Sequence, residues 1–595
     1  MIAENTYRYD LDFLKGLAII SVVLYHAGWC KSGYLGVDVF LVINGYLVVP
    51  KVMNDIAIGQ FRFFSFLEKK LFRLMPLVLL VSAFALAVGY KDMLPLDLRF
   101  LSEEVVASSI FGNNIFQAIT TQNYWAAIYH KAMMHTWFLG VLFQFYIVFP
   151  LLILALRRWM KPALLILTLL SLLLYLSPLD TIGDKYYMLH YRFFELSVGG
   201  MIAMYSLKVG KASSLWGCIS LAGILFMIFF GAFTIGERAM PYNLVGGANT
   251  IRESFLPREL ILMLTVLFTT FFLGVNRKGS PVYSFAQKSK IISFLGRMSL
   301  SVFLWHQPVL AFYRYFYADE IPARVLICVI AITLLLSSLT YYFIEKRIRT
   351  TIVSQSCLIL AFLAVNGLAL WIYSIGGAVR DVPELGIRKG YADPKMFERY
   401  TDRIYDYDKE FSSDSTKKKI LVIGNSFARD FANILLESPV ADSIQLSYRY
   451  SFIDCPLSRV RQCDRIYFFG WKHDVPVSVW QNLRSTADIW GIGTKNHGSS
   501  NGIFYKNRFK PDYYKQRAYI SKEFNAVNRL LKNEWQNNYV DLLSVMTSPD
   551  ESVPVFNSNS YFIAYDGMHL TQEGSRYYAE WMVDSRTKSF FLFNP

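Results

Sequence analysis

Three residues in the last third of this sequence have the types and order of a catalytic triad. Asp566 and His569 lie three residues apart in AYDGMHLTQEG, and Ser426 follows a short β-rich stretch in KKKILVIGNSFARDF. A serine at a strand-to-helix turn lies where α/β sheets place their sites, and the helix N-terminus stabilises negative charge there. The acid would hold the imidazole while His569 takes the serine proton. Ser426 alone is more typical of a helix N-cap, so the Asp-x-x-His pair is what favours a nucleophile.

A second candidate site lies in the first apolar segment, DLDFLKGLAIISVVLYHAGWC. Lys15 and His26 are eleven residues apart, close to the length of three helical turns (about 10.8 residues), so both point to one face of a helix. Ionisable groups inside a membrane segment indicate function by default. A lysine at the mouth and a deeper imidazole suit an anionic donor and a general base. The alternative is a lysine that extends to the membrane surface and a buried, hydrogen-bonded histidine.

The composition indicates a membrane region joined to a polar domain. The 595 residues are 54% hydrophobic and 18% charged, which excludes both a disordered chain and an ordinary soluble one. Residues 1–377 carry 31 Lys+Arg and 19 Asp+Glu, whereas residues 378–595 carry 29 and 26, so most of the +15 charge lies between apolar segments. This pattern is typical of membrane proteins, and we expect no nucleic-acid partner.

About eleven segments are apolar enough to cross a bilayer, which needs about 20 residues per helix. They are residues 13–30, 34–50, 74–90, 134–156, 162–178, 188–206, 213–235, 258–275, 294–314, 323–344 and 356–377. Segment 98–119 is more polar, and we predict that it is interfacial or re-entrant. Five basic clusters then fall on one side, at 51–73, 157–161, 208–211, 277–297 and 346–349. The positive-inside rule makes that side cytoplasmic, together with the N-terminus, and predicts an extracytoplasmic C-terminal domain.

The six cysteines do not indicate a metal site, because no second Cys/His pair has ligand spacing. Four of them lie in or beside apolar segments and are interpreted as small apolar residues. Cys455 and Cys463, in DCPLSRVRQC, are candidates for a short-loop disulfide if the C-terminal domain lies in an oxidising compartment.

The N-terminal region resembles the membrane acyltransferase-3 family through six motifs in the right order, which cover roughly residues 8–350. They are YRYDLDFLKGLAIISVVLYHA with GYLGVDVFLVINGYL, KKLFRLMP, HTWFLGVLFQFYIVFP, YRFFELSVGGMIA, FLGRMSLSVFLWHQPVL and YYFIEKRIR. The resemblance implies a multi-span helical membrane bundle. It also implies transfer of acyl groups, usually acetyl from acetyl-CoA, to carbohydrate or lipid-linked acceptors.

The same resemblance implies roles for individual residues. Lys15 and His26 match the family's essential basic residue and histidine. Lys70 and Arg73 match its cytoplasmic contacts with the phosphates of CoA, and both residue types bind phosphate. The alternative for Lys70 and Arg73 is positive-inside anchoring, and one segment can do both.

Other motif residues have less definite roles. His135 is a secondary candidate for substrate contact, with a structural role equally expected, and Arg192 and Glu195 match the family's Arg/Glu helix as further candidate contacts. His306, in LWHQP, is interpreted as structural. Hydrophobic residues precede Gln144 where the family usually has an acid, which puts any role for an acid in that helix in doubt.

The C-terminal region, roughly residues 417–590, resembles the SGNH hydrolase family. The family's first block, Gly-Asp-Ser, corresponds here to Gly424-Asn425-Ser426, and its last block corresponds to Asp566-x-x-His569. Asparagine in place of aspartate removes a charge and leaves the nucleophile in place, so we expect activity to survive.

The remaining SGNH blocks would supply the oxyanion donors. GTKNHG resembles the third block, so Asn496 would donate to the oxyanion, although glycine and asparagine also favour simple turns. Gly470 is assigned to the second block. His473 and His497 are predicted to be surface residues.

Together these resemblances predict four parts. They are an acyltransferase-3 domain (1–350), an additional transmembrane helix (351–377), a linker or docking segment (378–416) and an extracytoplasmic SGNH domain (417–595). The last is expected to be an α/β/α sandwich of flavodoxin-like type. The expected protein is a bacterial inner-membrane O-acyltransferase. It would move an acyl group, in the first place acetyl, from cytoplasmic acetyl-CoA to a hydroxyl of a surface carbohydrate such as O-antigen, through Ser426 and without a metal.

Two alternatives stay open. The first is that the exported domain is an esterase that trims acyl groups, for which water rather than a sugar is the acceptor. The other alternative is a transporter that carries a glycan-binding domain, against which the paired Ser and Asp-x-x-His blocks argue.

Overall fold

The structure is a computed structural model, which describes residues 7–120, 131–177, 185–204, 213–236, 253–254, 258–275, 280–318, 320–348, 350–413 and 416–583. Some basic residues used above to predict the topology lie outside the described residues, namely Lys208, Lys211, Arg277, Lys278 and Arg349. The chain divides into two compact units. Most of the described chain up to Tyr373 forms a helical unit, and the described residues of 374–583 belong to an α/β unit that also takes in Asp92–Asp97.

The helical unit consists mainly of apolar segments. Each of them forms an α-helix because a helix satisfies the backbone hydrogen bonds within the segment itself, as the hydrocarbon core of a membrane requires. Its helices are α1 (Tyr9–His26), α2 (Leu35–Ala57), α3 (Phe63–Asp92), α4 (Pro95–Ser109), α5 (Asn113–Thr120), α6 (Trp137–Ala155), α7 (Met160–Leu176), α8 (Leu189–Met204), α9 (Ser213–Thr234), α10 (Arg258–Val275), α11 (Pro281–Lys288), α12 (Lys290–Arg297), α13 (Ser299–Phe316), α14 (Ala323–Thr340) and α15 (Ile352–Ser374). A short strand pair, β1 (Ile235–Gly236) and β2 (Glu253–Ser254), is antiparallel.

Eight helical segments of the described chain are long and apolar enough to cross a membrane, which confirms a membrane protein. They are Leu35–Ala57, Phe63–Asp92, Met134–Ala155, Arg157–Leu176, Ser214–Gly231, Arg258–Val275, Ala323–Glu345 and Ile352–Ser374. The other three predicted spans also form helices, α1, α8 and α13. These are shorter or more polar, so the count of eleven crossings stays a prediction.

Segment 98–119 folds as two helices rather than one continuous helix. The break between α4 and α5 contains Phe111, whose φ is +54°. Glu104, Asn113 and Gln117 are buried and paired. Asn113 donates to the Met133 carbonyl (2.9 Å), and Gln117 donates to Glu104 (2.7 Å). A buried network of this kind explains how such polar residues are accommodated in an otherwise apolar unit.

Helices α2 and α8 pack unusually closely because both carry glycine at their contact. A Cβ on Gly45 would lie 1.7 Å from the carbonyl oxygen of Leu196, and a Cβ on Gly199 would lie 2.0 Å from the carbonyl oxygen of Val42. Small residues allow membrane helices to approach backbone to backbone. Any residue larger than glycine at either position would therefore clash with the backbone of the other helix.

The α/β unit is built on a five-stranded parallel sheet of order β4-β3-β5-β6-β8. Its strands are β3 (Lys418–Ile423), β4 (Ile444–Arg449), β5 (Arg465–Phe468), β6 (Asp488–Ile492) and β8 (Tyr539–Val540), and β7 (Arg517–Tyr519) pairs with β9 (Ser552–Pro554). Its helices are α16 (Met396–Asp402), α17 (Ser426–Glu437), α18 (Leu457–Gln462), α19 (Val477–Asn482), α20 (Asn501–Tyr505), α21 (Lys522–Trp535), α22 (Leu542–Met546) and α23 (Gln572–Val583).

In chain order these sheet strands read 2-1-3-4-5, the flavodoxin-like arrangement. The strand order reverses between β3 and β5, and ligands of such folds bind beyond the carboxyl ends of the strands at that point. The loop that carries Ser426 begins there.

Candidate active sites of the two units

Ser426 is the first residue of α17, directly after the first strand of the sheet. Gly424 has a φ of +135°, in the region that favours glycine, which lets the chain turn from β3 into the helix. The side chain of Asn425 caps the helix by accepting from the Phe427 N–H (3.0 Å). Because Asn425 caps the helix, the Ser426 hydroxyl is not needed as a cap and can act as a nucleophile.

Ser426, His569 and Asp566 form a hydrogen-bonded triad. His569 Nε2 lies 2.9 Å from Ser426 Oγ, and His569 Nδ1 lies 2.6 Å from Asp566 Oδ2. A carboxylate only accepts, so Nδ1 carries the proton and Nε2 of the neutral ring accepts from the serine. The arrangement is that of an activated nucleophile with its base and orienting acid.

The carboxylate of Asp566 is held in place by the backbone that follows it. Its Oδ1 accepts from the N–H groups of Met568 (2.9 Å) and His569 (2.8 Å). Burial raises the pKa of Asp566, but the hydrogen bonds and charge of His569 and these backbone donors outweigh burial, so its pKa lies below the ordinary value. Asp566 is therefore ionised at neutral pH and able to orient His569.

The loops that sequence analysis assigned to the oxyanion site follow neighbouring strands. Gly470 follows β5, and its carbonyl accepts from Trp535 Nε1 (2.9 Å). Asn496 follows β6; its Nδ2 donates to Gly498 (3.2 Å) and its Oδ1 accepts from the Ser521 N–H (3.3 Å). One of the two Nδ2 hydrogens is engaged, so the oxyanion role of Asn496 stays a prediction.

Segment 378–416, predicted as a linker or docking segment, is part of the α/β unit and packs against its other segments. Phe397 stacks on Tyr565 (4.9 Å between ring centroids), and Tyr565 stacks on His569 (5.7 Å). The Arg429–Asp402 ion pair (2.6 Å) joins α17 to α16. The segment therefore supports one side of the triad.

One of the two predicted surface histidines is exposed and the other is not. His473 is exposed and lies 2.7 Å from Glu534. His497 is 2% exposed, so the prediction was wrong for this residue. Its ring lies 2.9 Å from the Pro554 carbonyl oxygen and 3.0 Å from the Tyr578 hydroxyl, and burial lowers its pKa to about 4. A polar residue type alone does not identify a surface position when partners are available.

In the helical unit, Lys15, Lys70 and Arg73 line one cavity of about 420 Å³, as do Arg297 and Lys346. In the sequence these last two residues serve only as markers of topology, although both lie in motifs that carry the family resemblance. Lys15 lies 3.8 Å and Arg297 lies 4.0 Å from the carboxylate of Asp12. The cavity therefore holds an excess of cations and suits a polyanionic ligand.

A smaller cavity next to the first is lined by His26 and His135. The two cavities share Phe138 and Phe303 as lining residues. His26, at 6% exposed, and His135, at 2% exposed, are both buried. The neighbouring cavities bring the predicted donor-binding cations and the predicted base into one site.

His306 contacts His26 directly, a relationship that sequence analysis missed. His26 Nδ1 lies 2.6 Å from His306 Nε2, and His306 Nδ1 lies 2.6 Å from the Phe303 carbonyl oxygen. A carbonyl only accepts, so His306 Nδ1 carries the proton and its Nε2 accepts from His26 Nδ1 when both rings are neutral. His26 Nε2 is then unprotonated and available as a base.

A comparison with known protein families identifies the family of the helical unit. A family model described as an acyltransferase domain matches residues 8–342, more than half of the chain. The chain belongs to the acyltransferase-3 family. The O-acetyltransferase OatA proteins of Staphylococcus aureus strains NCTC 8325 / PS 47 and COL are each 28% identical over 366 residues, 58% of this chain and 57% of theirs. The chain thus aligns with little more than half the length of these relatives. No solved structure matches.

Two candidate contacts of this acyltransferase-3 domain are not among the residues that line the two cavities described above. Arg192 and Glu195 are fully buried and paired with each other (3.0 Å), and Arg192 also pairs with Asp38 of α2. One guanidinium thus contacts two acidic side chains at the close contact of α2 and α8. These positions indicate a structural cluster, and a role in substrate contact stays a prediction.

The two cysteines of the α/β unit are free thiols. Cys463 is buried, where burial raises its pKa to about 12, and its Sγ donates to the Val460 carbonyl. Cys455 is also a free thiol, so the structure does not contain the expected disulfide. Among the described residues, no group of three His, Cys, Asp or Glu is placed to hold a metal ion.

Proposed function

We propose that this chain is a membrane O-acetyltransferase that moves acetyl from cytoplasmic acetyl-CoA to a hydroxyl of a cell-envelope carbohydrate. The observation that carries the proposal is the Ser426–His569–Asp566 triad in a chain whose helical unit belongs to an acyltransferase family. One polypeptide then contains two sites suited to acyl transfer, the site in the helical unit and the triad. The names of the relatives, O-acetyltransferase OatA, support acetyl as the group transferred.

The donor binds the basic cavity of the helical unit. Its lining cations, among them Lys15, Lys70 and Arg73, match the phosphates of CoA in charge. Lys70 also lies 4.4 Å from the ring centroid of Tyr146, which holds the ammonium group beside an aromatic wall. The positive-inside rule assigns this end of the bundle to the cytoplasm.

His26 acts next, as general base or as transient acceptor. The hydrogen bond to His306 leaves Nε2 of His26 with its lone pair. As an acceptor, Nε2 would attack the thioester carbonyl. The C–S bond breaks, which gives the CoA thiolate and an N-acetylimidazolium that keeps its Nδ1 proton. As a base, it would take the proton of another acceptor. Either role requires the same tautomer.

Ser426 completes the transfer. His569 Nε2 takes the serine proton as Oγ attacks the carbonyl of the acetyl group that His26 or its acceptor has taken up. The bond between the acetyl group and that carrier breaks, and the carrier leaves with the proton from His569. A sugar hydroxyl then attacks acetyl-Ser426. The sugar proton passes to His569, the serine oxygen leaves, and it recovers a proton from His569. Asp566 keeps Nδ1 of the ring protonated throughout. The acceptor is a carbohydrate with a free hydroxyl group, such as a surface polysaccharide.

The test compares matched variants in cells. Ser426→Ala and His26→Ala should each abolish acetylation of surface carbohydrate, measured by NMR of the purified glycan, while protein levels in the membrane stay unchanged. The matched control is Ser443→Ala, which changes an exposed turn serine of the same unit and should retain full acetylation. Full activity of Ser426→Ala would refute transfer through serine.

The second candidate is a tethered carbohydrate esterase, because the triad is complete within the α/β unit. Here water replaces the sugar hydroxyl at acetyl-Ser426. Incubation of the full chain with acetylated glycan and no acetyl-CoA separates the two. Steady release of acetate would favour the esterase, whereas acetylation of glycan that depends on acetyl-CoA would favour the transferase.

A further inference from the structure

A buried ion pair lies beside the triad, between Lys495 and Asp430. Nζ of Lys495 is 2.7 Å from Oδ2 of Asp430, and the two side chains are 0% and 1% exposed. Asp430 lies on α17, one helical turn after Ser426, and Lys495 lies in the loop after β6. Burial of two charges costs free energy that their attraction often fails to offset, so such a pair is weak evidence for a role in stability alone.

The other hydrogen bonds of this pair go to the two residues that flank His569. Lys495 Nζ donates to the carbonyl of Met568 (2.5 Å), and the N–H of Leu570 donates to Asp430 Oδ2 (3.0 Å). The backbone is thus held immediately before and immediately after His569. One of the two holding groups comes from the helix that begins with Ser426.

A third contact ties the pair to the nucleophile. Lys495 Nζ lies 4.2 Å from the ring centroid of Phe427, the residue next to Ser426. The ion pair therefore connects three segments: the start of α17, the loop after β6 and the loop that carries Asp566 and His569. The distance that depends on this connection is the 2.9 Å between Ser426 Oγ and His569 Nε2.

We propose that Lys495 and Asp430 are positioning residues that hold the His569 loop in register with Ser426. The inference rests on the proposed function, in which Ser426 is the nucleophile and His569 its base. The pair acts through backbone groups. A displacement of the loop by about 1 Å would break the Ser426–His569 hydrogen bond, and misplacement of that size slows reactions about 100-fold.

The test measures the reactivity of Ser426 in the full-length protein in detergent. A fluorophosphonate that reacts with activated serines is applied from about pH 5 to pH 9, a range that spans histidine titration. Asp430→Asn and Lys495→Met should each slow labelling by about 100-fold and shift the midpoint of its pH profile, because His569 no longer accepts the serine proton in the right geometry.

The matched control removes an ion pair of the same unit that does not touch the His569 loop. Arg465 of β5 contacts Asp488 of β6 through two hydrogen bonds (2.7 and 3.0 Å). Arg465→Met should lower the thermal unfolding temperature but leave the labelling rate and its pH midpoint unchanged. A merely structural role for Lys495 and Asp430 predicts that same result for their variants.

A wild-type rate and midpoint in folded Asp430→Asn or Lys495→Met would overturn the inference. If both variants unfold, the labelling rate of Asp430→Glu tests the inference instead. This variant keeps the charge and displaces the contact with Leu570 by one methylene. It should slow labelling by about tenfold, a fraction of the full cost of misplacement, and a wild-type rate would again overturn the inference. Absence of labelling in the wild-type protein would instead contradict the proposed function itself.

Discussion

Replacement of His306 by phenylalanine tests the site in the membrane helices. The substitution keeps an aromatic ring but removes the nitrogen that accepts from His26 Nδ1 at 2.6 Å. It also removes the N–H that donates to the Phe303 carbonyl. His26 then keeps its place in the small cavity but loses the partner that determines which of its nitrogens carries the proton.

The expected loss follows from that unpaired donor. A buried donor left without a partner costs about 1–3 kcal/mol, which is the free energy by which His306 favours the tautomer with a free Nε2. If only this tautomer reacts, the rate falls by roughly 5-fold to 150-fold. Affinity for the donor should change little, because His306 is not among the residues that line the larger cavity.

The assay is the release of CoA thiol from acetyl-CoA added to inverted membrane vesicles, with the rate constant and the donor KM measured separately. His306→Gln is the matched control, because its amide oxygen accepts from His26 Nδ1, and it should retain more activity than His306→Phe. Equal rates for His306→Phe and wild type, at equal protein levels, would refute the argument that His306 selects the reactive tautomer.

Two further predictions concern charged groups. Asp566→Asn should slow phosphonate labelling of Ser426, measured by gel fluorescence. Because the folded-state pKa of Asp566 is depressed, the stability that its carboxylate adds is present above about pH 4 and is lost as the pH falls further, so the unfolding temperatures of wild type and variant should converge only in that acidic range. Arg192→Met should destabilise the helical unit by about 3–5 kcal/mol, because it leaves buried carboxylates without a cation. Thermal melting in detergent measures this loss, and the double variant with Asp38→Leu should recover part of it.

The triad could be predicted from the sequence because each of its parts carries a local signal. Ser426 stands at a strand-to-helix turn, and Asp566 and His569 are three residues apart, so their pairing depends only on a turn. Lys15 and His26 are likewise related by helical spacing. Such short-range patterns predict which residues lie close together without knowledge of how the rest of the chain folds.

The missed relationships join residues that are distant in the chain. His306 meets His26 across 280 positions, and no spacing rule connects them. The prediction of segment 378–416 as a linker or docking segment does not identify its partner, and Phe397 stacks on Tyr565. His497 was misassigned because its burial depends on Tyr578, 81 residues further on. Tertiary partners, which a single sequence does not reveal, decide the role of each of these side chains.

The pairing of Asp38 with Arg192 has a consequence for how the chain is made. The two residues are 154 positions apart, so α2 enters the membrane long before the ribosome has produced its arginine partner. An unpaired aspartate in a nascent helix costs up to about 2.5–3.5 kcal/mol, the value at a helix centre. We expect α2 to stay beside the insertion machinery until α8 emerges. Chains that stop short of α8 would then expose an unmatched carboxylate and be recognised by quality-control proteases as incomplete.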